Sequence, residues 1–524
     1  MAETFDFVVA GAGHNALIAA AYLTKAGFEC GVLDSRPILG GDTATEELTL
    51  PGFLHDTCST AHNLIQASPT LRDDELRLGD YGLEYIEPDP VVHIPFPDGT
   101  SLTQWRDIDA TCEEFAKFSR NDAEAFRRMM RDYDEVKSAF GGYRYTPVGW
   151  GPTLQQRLAQ LPNSNRWLRR VQETAWDVVR REFEDRHTRA FMLWLAFMTL
   201  QPVENAGTGW LAYSLPYGRQ QHSWTLPRGG SGMLPLALMR LIEAGGGTLL
   251  PGRRVTQFLI ENGRCTGVET ESGERFLARR AVLSSVHVKQ LPALAGAEVW
   301  GEDFLAGLDE WKAGVSMFVT HYATTEPPRF EGGLETVASG TAESVDRLLR
   351  VGWDVRRGAV ATDEPPLLVV CPTVADPARA PNGHHTLKVI GFHPYDLAEG
   401  GPGRWAELKG DVSRANLEHL RRYAPNLTDN AVLATLVKSP LDLEALNEHN
   451  WHGSCHGGEM SVSQTGLLRP APGWSEHRLP IAGLYQTGST THPGASVSAG
   501  PGRNAAMVML KDFGTSIEEV VARA

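Results

Sequence analysis

Apolar runs and a helical pattern alternate at the start of the chain. Phe7–Ala10 is a short, wholly apolar run, which is typical of a strand buried in a parallel sheet. Ala16–Leu23 is apolar on almost every face and predicts a buried helix. Cys30–Asp34 predicts a second strand that ends in a carboxylate. The order strand, helix, strand indicates an α/β fold.

The middle of the chain changes to helical periodicity. Asp107–Phe140 carries an apolar stripe at three- and four-residue spacing, which predicts a helix whose capping box is Asn121 and Glu124. Helical stretches continue over Leu154–Leu200. The best apolar run in them, Phe191–Leu200, is read as a buried helix or, as the alternative, a wall of a substrate site. We therefore predict a mostly helical insertion on the substrate side of the molecule.

The strand pattern then resumes. Leu234–Ala244 predicts a helix, and Trp405–Tyr423 predicts another. Short runs rich in β-branched and aromatic residues predict strands between and beyond them. These runs are Val255–Ile260, Thr266–Thr270, Arg275–Leu277, Ala281–Ser285, Met317–Tyr322, Leu367–Cys371 and Leu387–Phe392.

Two glycines separate the first predicted strand from its helix, in the order Gly11-Ala-Gly13-His-Asn-Ala16. Gly11 permits a tight turn, and Gly13 lets the backbone approach a pyrophosphate closely, at a helix N-terminus whose N–H groups attract phosphate. Ala16 takes the position of a third glycine, and Asp34 lies near the offset of about 20 residues at which a carboxylate binds ribose. We predict an adenine dinucleotide site; the alternative is an ordinary glycine turn.

Composition narrows the class of protein. The 524 residues are 42% hydrophobic, which favours two domains over one. The net charge of −15 disfavours a nucleic-acid partner. No apolar run approaches the roughly 20 residues that a membrane span needs, so we expect no integral membrane segment and leave peripheral contact open.

Location and metal content are inferred from the same sequence. The N-terminus shows no basic region or cleavage site, and none of the six cysteines is spaced as C-x-x-C. Both features predict a cytoplasmic protein. His452 and His456 have the spacing of a helical metal pair, but the glycines around them predict loop histidines, and we expect no metal.

Further glycine-rich stretches follow the first one. Gly40 and Gly41 come soon after the carboxylate and indicate a second close approach of backbone to a ligand. Arg36 is a candidate phosphate or ribose neighbour, with a solvated loop arginine as the alternative. Near the C-terminus, a short strand leads to Gly488, then to His492-Pro-Gly494 and a helix rich in small residues.

These motifs, with Pro51-Gly-Phe-x-x-Asp56-x-x-Ser59, resemble the phytoene desaturase-like flavoprotein oxidoreductases. The branch most similar is the one named for pyridine nucleotide-disulfide oxidoreductase domain-containing protein 2. The resemblance implies FAD as the dinucleotide. It implies an α/β fold, with a Rossmann-like FAD-binding domain of the glutathione reductase/amine oxidase type and a discontinuous mixed α+β substrate domain. We assign 1–90, 222–295 and 455–524 to the first, and 91–221 and 296–454 to the second.

The resemblance also implies site residues. Val255 would pair its backbone with the adenine ring, and the C-terminal motif would lie beside the flavin. The members of that motif are Gly488, Gly494, Ala495, Ser496 and Val497. The family often has glycines where Ala495 and Ser496 stand, which leaves the detailed flavin contact open.

A flavin carries out the redox chemistry while the protein positions the reactants. We expect a dehydrogenase or desaturase that passes a hydride from an apolar or alicyclic substrate to flavin N5. Alternatives are an amine or alcohol oxidase that uses oxygen, a flavin-dependent isomerase, and a non-catalytic FAD-stabilised interaction protein. His492 is the first candidate base, with a structural role as its alternative. Weaker candidates are His55, His222, Tyr485 and Glu459. A homodimer is the default expectation.

Overall fold

The computed structural model describes residues 3–494 and 496–523. Its strands are β1 (Glu3–Ala10), β2 (Cys30–Leu33), β3 (Thr45–Glu47), β4 (Leu54–Asp56), β5 (Tyr85–Ile86), β6 (Val92–Pro95), β7 (Ser101–Gln104), β8 (Leu226–Pro227), β9 (Thr248–Leu250), β10 (Val255–Glu261), β11 (Arg264–Thr270), β12 (Arg275–Ser284), β13 (Ser316–Thr324), β14 (Ala338–Thr341), β15 (Leu367–Val370), β16 (His385–His393), β17 (Val432–Lys438) and β18 (Leu484–Gln486).

The helices are α1 (His14–Lys25), α2 (Asn63–Gln66), α3 (Pro69–Arg72), α4 (Ile108–Ala116), α5 (Arg120–Asp134), α6 (Lys137–Arg144), α7 (Leu154–Ala159), α8 (Ser164–Arg170), α9 (Ala175–Glu182), α10 (Arg186–Phe197), α11 (Leu211–His222), α12 (Met233–Ala244), α13 (Ala297–Trp300), α14 (Glu302–Asp309), α15 (Val345–Arg356), α16 (Trp405–Arg421), α17 (Pro440–Leu446), α18 (Gly500–Asp512) and α19 (Ile517–Val521). Within the described ranges, none of them combines the length and the apolar character that crossing a bilayer requires.

The first sheet has β1 near its centre. Its strand order is β10-β11-β12-β1-β2-β9, and β18 pairs with the end of β12. The pairs β12–β1, β1–β2, β2–β9 and β12–β18 are parallel, whereas β10, β11 and β12 form an antiparallel meander. This is the α/β fold class that the sequence predicts, and β2, β18 and the last four residues of β1 and of β12 are buried, as the centre of such a sheet requires.

The second sheet is assembled from distant parts of the chain. Its order is β17-β13-β16-β15-β14-β6-β7, and every pair except β14–β6 is antiparallel. The helices α4–α11 and the second sheet share one hydrophobic core, in which Trp194 of α10 donates to the carbonyl of Leu367. We propose that the two sheets are the centres of the two predicted domains.

Two local predictions were wrong. Arg275–Leu277 and Ala281–Ser285 belong to one strand, β12, whose first half is partly exposed beside β11 and whose second half is buried. This change in burial explains why the apolar pattern differs between the two halves of β12. The predicted capping box at Asn121 and Glu124 is also wrong, because the hydroxyl of Ser119 caps α5 by accepting from the backbone of Asp122. The helical stretch divides into α4, α5 and α6, although its predicted apolar stripe is buried.

Helix α1 lies against α18 at very short range. Gly502 of α18 stands where a Cβ atom would lie only 2.3 Å from the carbonyl oxygen of Asn15. A backbone atom cannot move aside as a side chain can, so the two helices have this separation only with glycine at this position. The ends of the chain are therefore joined beside the predicted dinucleotide site.

We expect Gly502→Ala to lower the free energy of unfolding by about 1–3 kcal/mol, because the added methyl group overpacks this contact. The measurement is thermal or urea unfolding followed by circular dichroism. The matched control is Gly410→Ala in α16, where the new Cβ would meet no atom within 4 Å. That variant should be neutral or stabilised by up to about 1 kcal/mol through helix propensity. Equal stability of the two variants would contradict the assigned packing.

Candidate active site

A cavity of about 850 Å³ connects the first sheet to the second. Its volume lies near the upper end of the range of small-molecule sites, about 300–1,000 Å³. One end is formed by the glycine turn after β1, the end of β2 and the start of β10. The other end is formed by the loop after β4, the end of α10 and four side chains of the second sheet.

The glycine turn has the geometry that a pyrophosphate requires. Gly11 has φ +98°, and a Cβ atom there would lie 2.3 Å from the Ser285 hydroxyl. Gly13 precedes α1, and a Cβ atom there would meet no protein atom within 4 Å. His14, Asn15 and Ala16, whose N–H groups begin the helix, also line the cavity, and the first turn carries no acidic side chain. A dinucleotide phosphate fits this open position, where unpaired N–H groups face the cavity.

Asp34 supports the turn as well as lining the cavity. Its carboxylate accepts the backbone N–H of Ala12 at 2.7 Å and that of Arg36 at 2.8 Å. Burial raises the pKa of Asp34, and the two N–H groups oppose that effect. Two of the lone-pair positions of the carboxylate remain for a ligand such as a ribose hydroxyl. The ribose contact stays a prediction.

Arg36 and Val255 also line this end of the cavity. Arg36 forms an ion pair with Glu46 at 2.8 Å, so it is not simply solvated. Val255 is the first residue of β10. Their contacts with a ligand stay predictions.

The second glycine pair packs mainly against protein. Gly40 has φ +119°, and a Cβ atom there would lie 2.8 Å from Pro235 Cγ of α12. Gly40 does not line the cavity. Gly41 does, and a Cβ atom there would lie 3.2 Å from the Cα atom of Gly13. The pair therefore allows the loop to lie against the first glycine turn, and only Gly41 has access to a ligand.

The C-terminal motif is only partly at the cavity. Gly488, Ser496 and Val497 line it, and their contact with the flavin stays a prediction. Gly494 is not in the lining, since its α-carbon faces Met460, whose sulfur would lie 2.4 Å from a Cβ atom. The predicted site residue Ala495 lies outside the described residues.

His492 is away from the cavity. Its ring is buried, its Nε2 lies 3.0 Å from the carbonyl oxygen of Tyr143, and its ring packs edge-on against the Tyr143 ring. Burial lowers the pKa of His492 to about 3. These contacts are those of the structural role that was its alternative, and the catalytic role of His492 stays a prediction. The four weaker candidates, His55, His222, Tyr485 and Glu459, are also absent from the cavity lining.

Three histidines that the sequence analysis did not propose as site residues, His14, His287 and His449, line the cavity, and so does His456, which it read as a loop histidine. The Nε2 atom of His449 lies 2.6 Å from the Ser489 hydroxyl, and Nε2 of His287 donates to the carbonyl of Gly457 at 2.8 Å. Burial lowers the pKa of His14 and of His456 to about 4, so both are neutral near pH 7. His14 had a signal, since it lies within the glycine motif, and His456 had its spacing from His452, whereas His287 and His449 follow no pattern.

The end of the cavity at the second sheet is mostly apolar. The second sheet contributes Met317, Leu368, Ile390 and Phe392, and the segment that ends α10 contributes Met198 and Leu200. The apolar run Phe191–Leu200 therefore agrees with both alternatives: the part of it in α10 is buried, and Met198 and Leu200, which follow α10, form part of the cavity wall. Cys58, Thr60 and Ala61 complete this end with Cys455 and His456.

Lys388 of β16 holds one wall of this end in place. Its Nζ donates to the carbonyls of Cys58 at 2.9 Å and Ser59 at 3.2 Å. Burial lowers the pKa of Lys388 to about 8. The second sheet thus fixes the backbone of the loop that follows β4.

Comparison with known proteins agrees with this geometry. Residues 17–507 match the family model described as flavin containing amine oxidoreductase. A limonene dehydrogenase component from Castellaniella defragrans is 27% identical, over 99% of this chain and 97% of the relative. Pyridine nucleotide-disulfide oxidoreductase domain-containing protein 2 of Mus musculus is 27% identical, over 97% and 94%. A lycopene-forming phytoene desaturase of a Paracoccus species is 25% identical, over 97% and 98%.

Solved structures confirm the fold. An oxidoreductase from Methanosarcina mazei has a TM-score of 0.63 at 17% identity, over 96% of this chain and 99% of the other. A variant of putrescine oxidase has a TM-score of 0.63 at 15% identity, over the full length of both. With the family model, these likenesses identify the dinucleotide as FAD. This chain belongs to the flavin containing amine oxidoreductase family and is an FAD-dependent oxidoreductase of the phytoene desaturase-like branch.

Proposed function

We propose that this enzyme dehydrogenates, and so desaturates, an apolar or alicyclic organic substrate. The observation that carries the proposal is the apolar end of the cavity, where four side chains of the second sheet face a space continuous with the dinucleotide end. A substrate without many polar groups loses little hydration there and gains about 25 cal/mol per Å² of buried apolar surface. Two relatives, one named for limonene dehydrogenase and one a phytoene desaturase, point in the same direction.

The residues of the chain have separate tasks in this proposal. Gly11, Gly13 and the start of α1 bind the pyrophosphate, and Asp34 orients the ribose. The apolar side chains orient the substrate and exclude water. Bound FAD supplies the hydride acceptor, at N5. His14 and His456 line the cavity as neutral imidazoles, and because burial lowers the pKa of both to about 4 they are weak proton acceptors, so we assign them to orienting the substrate rather than to carrying its proton.

An amine substrate is less well supported. The four side chains from the second sheet include no carboxylate, and the guanidinium of Arg219 lines the cavity. An ammonium group would be repelled by that cation and would find no anionic partner on the sheet.

The test is an anaerobic titration of the FAD-loaded protein with cyclic ketones, amines and polyenes, followed by visible absorption. We expect one apolar or alicyclic class to bleach the flavin band, and an artificial electron acceptor to restore it. Bleaching by amines alone would contradict the proposal, as would rapid reoxidation by oxygen as the preferred acceptor. Product formation without any acceptor would indicate an isomerase, and a flavin that no compound bleaches would indicate a non-catalytic protein.

We expect Gly13→Leu to weaken FAD binding by about tenfold or more, which corresponds to about 1.4 kcal/mol or more. The added side chain enters space that is free of protein atoms, so the fold without cofactor should tolerate it. The measurement is FAD affinity by fluorescence quenching, with the thermal stability of the cofactor-free protein measured in parallel. Gly79→Leu is the control, because its Cβ atom also meets nothing within 4 Å but lies outside the cavity. Unchanged FAD affinity in Gly13→Leu would place the dinucleotide elsewhere.

We expect His492→Gln to lower the free energy of unfolding by about 1–3 kcal/mol through loss of the contact with the Tyr143 carbonyl, while kcat is retained. An unfolded histidine titrates near 6.5, whereas folded His492 has a pKa of about 3. The unfolded state therefore binds more protons between these values, and the contribution of His492 to stability is present above about pH 6.5 and lost as the pH falls. The variant should show a shallower loss of thermal stability over that range.

His456→Gln is the comparison variant for His492→Gln, because His456 lines the cavity and His492 does not. Its effect should appear in kcat or KM rather than in stability alone. A fall of 10²-fold or more in kcat for His492→Gln at unchanged stability would instead assign the base to His492, since general bases contribute about 10²–10⁴-fold.

A further inference from the structure

Arg219 is a buried cation that lacks an anionic partner. The structure buries five arginine side chains: Arg170, Arg219, Arg379, Arg469 and Arg503. Three of them, Arg170, Arg379 and Arg503, form ion pairs with Glu182, Asp56 and Glu75 respectively. Arg469 instead donates to the carbonyls of Glu459, Gln464 and Ser489. Among residues 3–494 and 496–523, Arg219 forms no ion pair, and its one acceptor is the amide oxygen of Asn63.

An unpaired buried charge is costly. Moving an ion out of water costs several kcal/mol even after the protein relaxes, and proteins therefore pair such charges. A guanidinium has five N–H donors. In the described residues, only Nη1 of Arg219 donates to a protein acceptor, the amide oxygen of Asn63. Arg219 lines the cavity, and among the described residues none of its guanidinium nitrogens is both fully buried and without a partner, so its remaining donors have access to a ligand there. The position is consistent with an anion that arrives with the ligand.

The guanidinium is held in a fixed orientation. Its carbon lies 3.6 Å from the centre of the Trp224 ring, so one face is stacked on the indole. Trp224 in turn donates to the carbonyl of Thr60 at 2.9 Å, and Asn63 donates to the carbonyl of Ser223 at 2.6 Å. Stacking on one face leaves the edge of the plane for hydrogen bonds, which is the geometry that a carboxylate accepts with both oxygens.

Arg219 belongs to the apolar end of the cavity. Its two anchors, Trp224 and Asn63, lie at or next to the loop that contributes Thr60 and Ala61 to the lining. The arginines at the dinucleotide end are different ones, and each has a carboxylate partner: Arg36 with Glu46, Arg253 with Glu274 and Arg254 with Glu448. Arg219 thus lies beside the loop that contributes Thr60 and Ala61, in the same cavity as the apolar side chains of the second sheet, where it can bind one charged group of a ligand whose remainder is apolar.

We propose that Arg219 binds a carboxylate of the substrate, so that the enzyme acts on an apolar organic acid rather than on a neutral hydrocarbon or an amine. This inference rests on the proposed function for the reaction, but the binding of the acid does not require turnover. The apolar side chains of the second sheet hold the body of the acid, and Arg219 sets its orientation along the cavity.

The test compares matched ligands on the FAD-loaded protein. Cyclohexanecarboxylate, cyclohexanecarboxamide and cyclohexylamine share one ring and differ in charge. Binding is followed by the flavin difference spectrum and by isothermal titration calorimetry. We expect the carboxylate to bind about tenfold or more tightly than the amide, and the amine to bind most weakly.

Substitutions test whether Arg219 is the source of the preference for the carboxylate over the amide. Arg219→Met should abolish the difference between acid and amide, and Arg219→Lys should keep part of it, because an ammonium retains the charge without the planar fork. Arg228→Met is the control and should keep the full preference, since Arg228 is an exposed partner of Glu84 outside the cavity. If Arg219→Met fails to fold, the comparison of ligands on the wild-type protein and on Arg219→Lys still decides.

Three outcomes would overturn the proposal: equal binding of acid and amide by the wild type, a preference that persists in Arg219→Met, or a loss of FAD from that variant, which would make the guanidinium a flavin partner. The outcomes are independent of turnover. A preference for acids without bleaching by any compound would contradict the proposed function alone, and bleaching by neutral compounds without a preference for acids would contradict this inference alone.

Discussion

The structure depends on how closely separate pieces of backbone approach one another at the start of α1. Gly11, Gly41 and Gly502 each occupy a position where a Cβ atom would press on a neighbouring atom, and two of those neighbours are backbone. The three glycines come from the first turn, the loop after β2 and the C-terminal helix. Since a side chain at any of them would separate these segments, the phosphate position is formed by contacts between both ends of the chain.

Around this contact, the energetics of buried charge organise the molecule. Arg503 of α18 binds Glu75 through two nitrogens, at 2.8 and 2.7 Å, and Glu75 also accepts from the hydroxyl of Tyr22 in α1. This network ties the C-terminal helix to α1 and to the segment that follows α3. Within the cavity, burial lowers the pKa of the histidines, so they add no positive charge near pH 7. Among the arginines and lysines that line it in the described part of the chain, Arg219 is the exception, because each of the others has a carboxylate partner.

The sequence predicts the cofactor side of the molecule well and the chemistry of the substrate side poorly. The turn at Gly11 and Gly13 is readable because strand, glycines, helix and acid lie within one local stretch, where spacing alone constrains the geometry. Gly40 shows the limit of this reasoning. A positive φ is needed there, as its residue type indicates, but the reason is contact with Pro235 and not with a ligand. Sequence cannot tell a glycine that faces a ligand from one that faces a distant proline.

The position of His492 is hard to predict for a similar reason. Its motif lies between two segments that do reach the cavity, but the ring turns toward Tyr143, a residue far away in sequence. The second sheet is hard to predict for the same reason, since it joins β6 and β7 from the first part of the chain to strands that come after β12. Residues that share no local pattern, such as Phe392 of the second sheet and Arg219 of α11, line one cavity only after the sheet and the helix have packed. The walls at the second sheet can therefore differ at single positions while the glycine turn, and with it the cofactor site, stays the same. Arg219 illustrates this, because among the described residues it has no carboxylate partner, and one carboxylate near it would neutralise its charge without altering the fold.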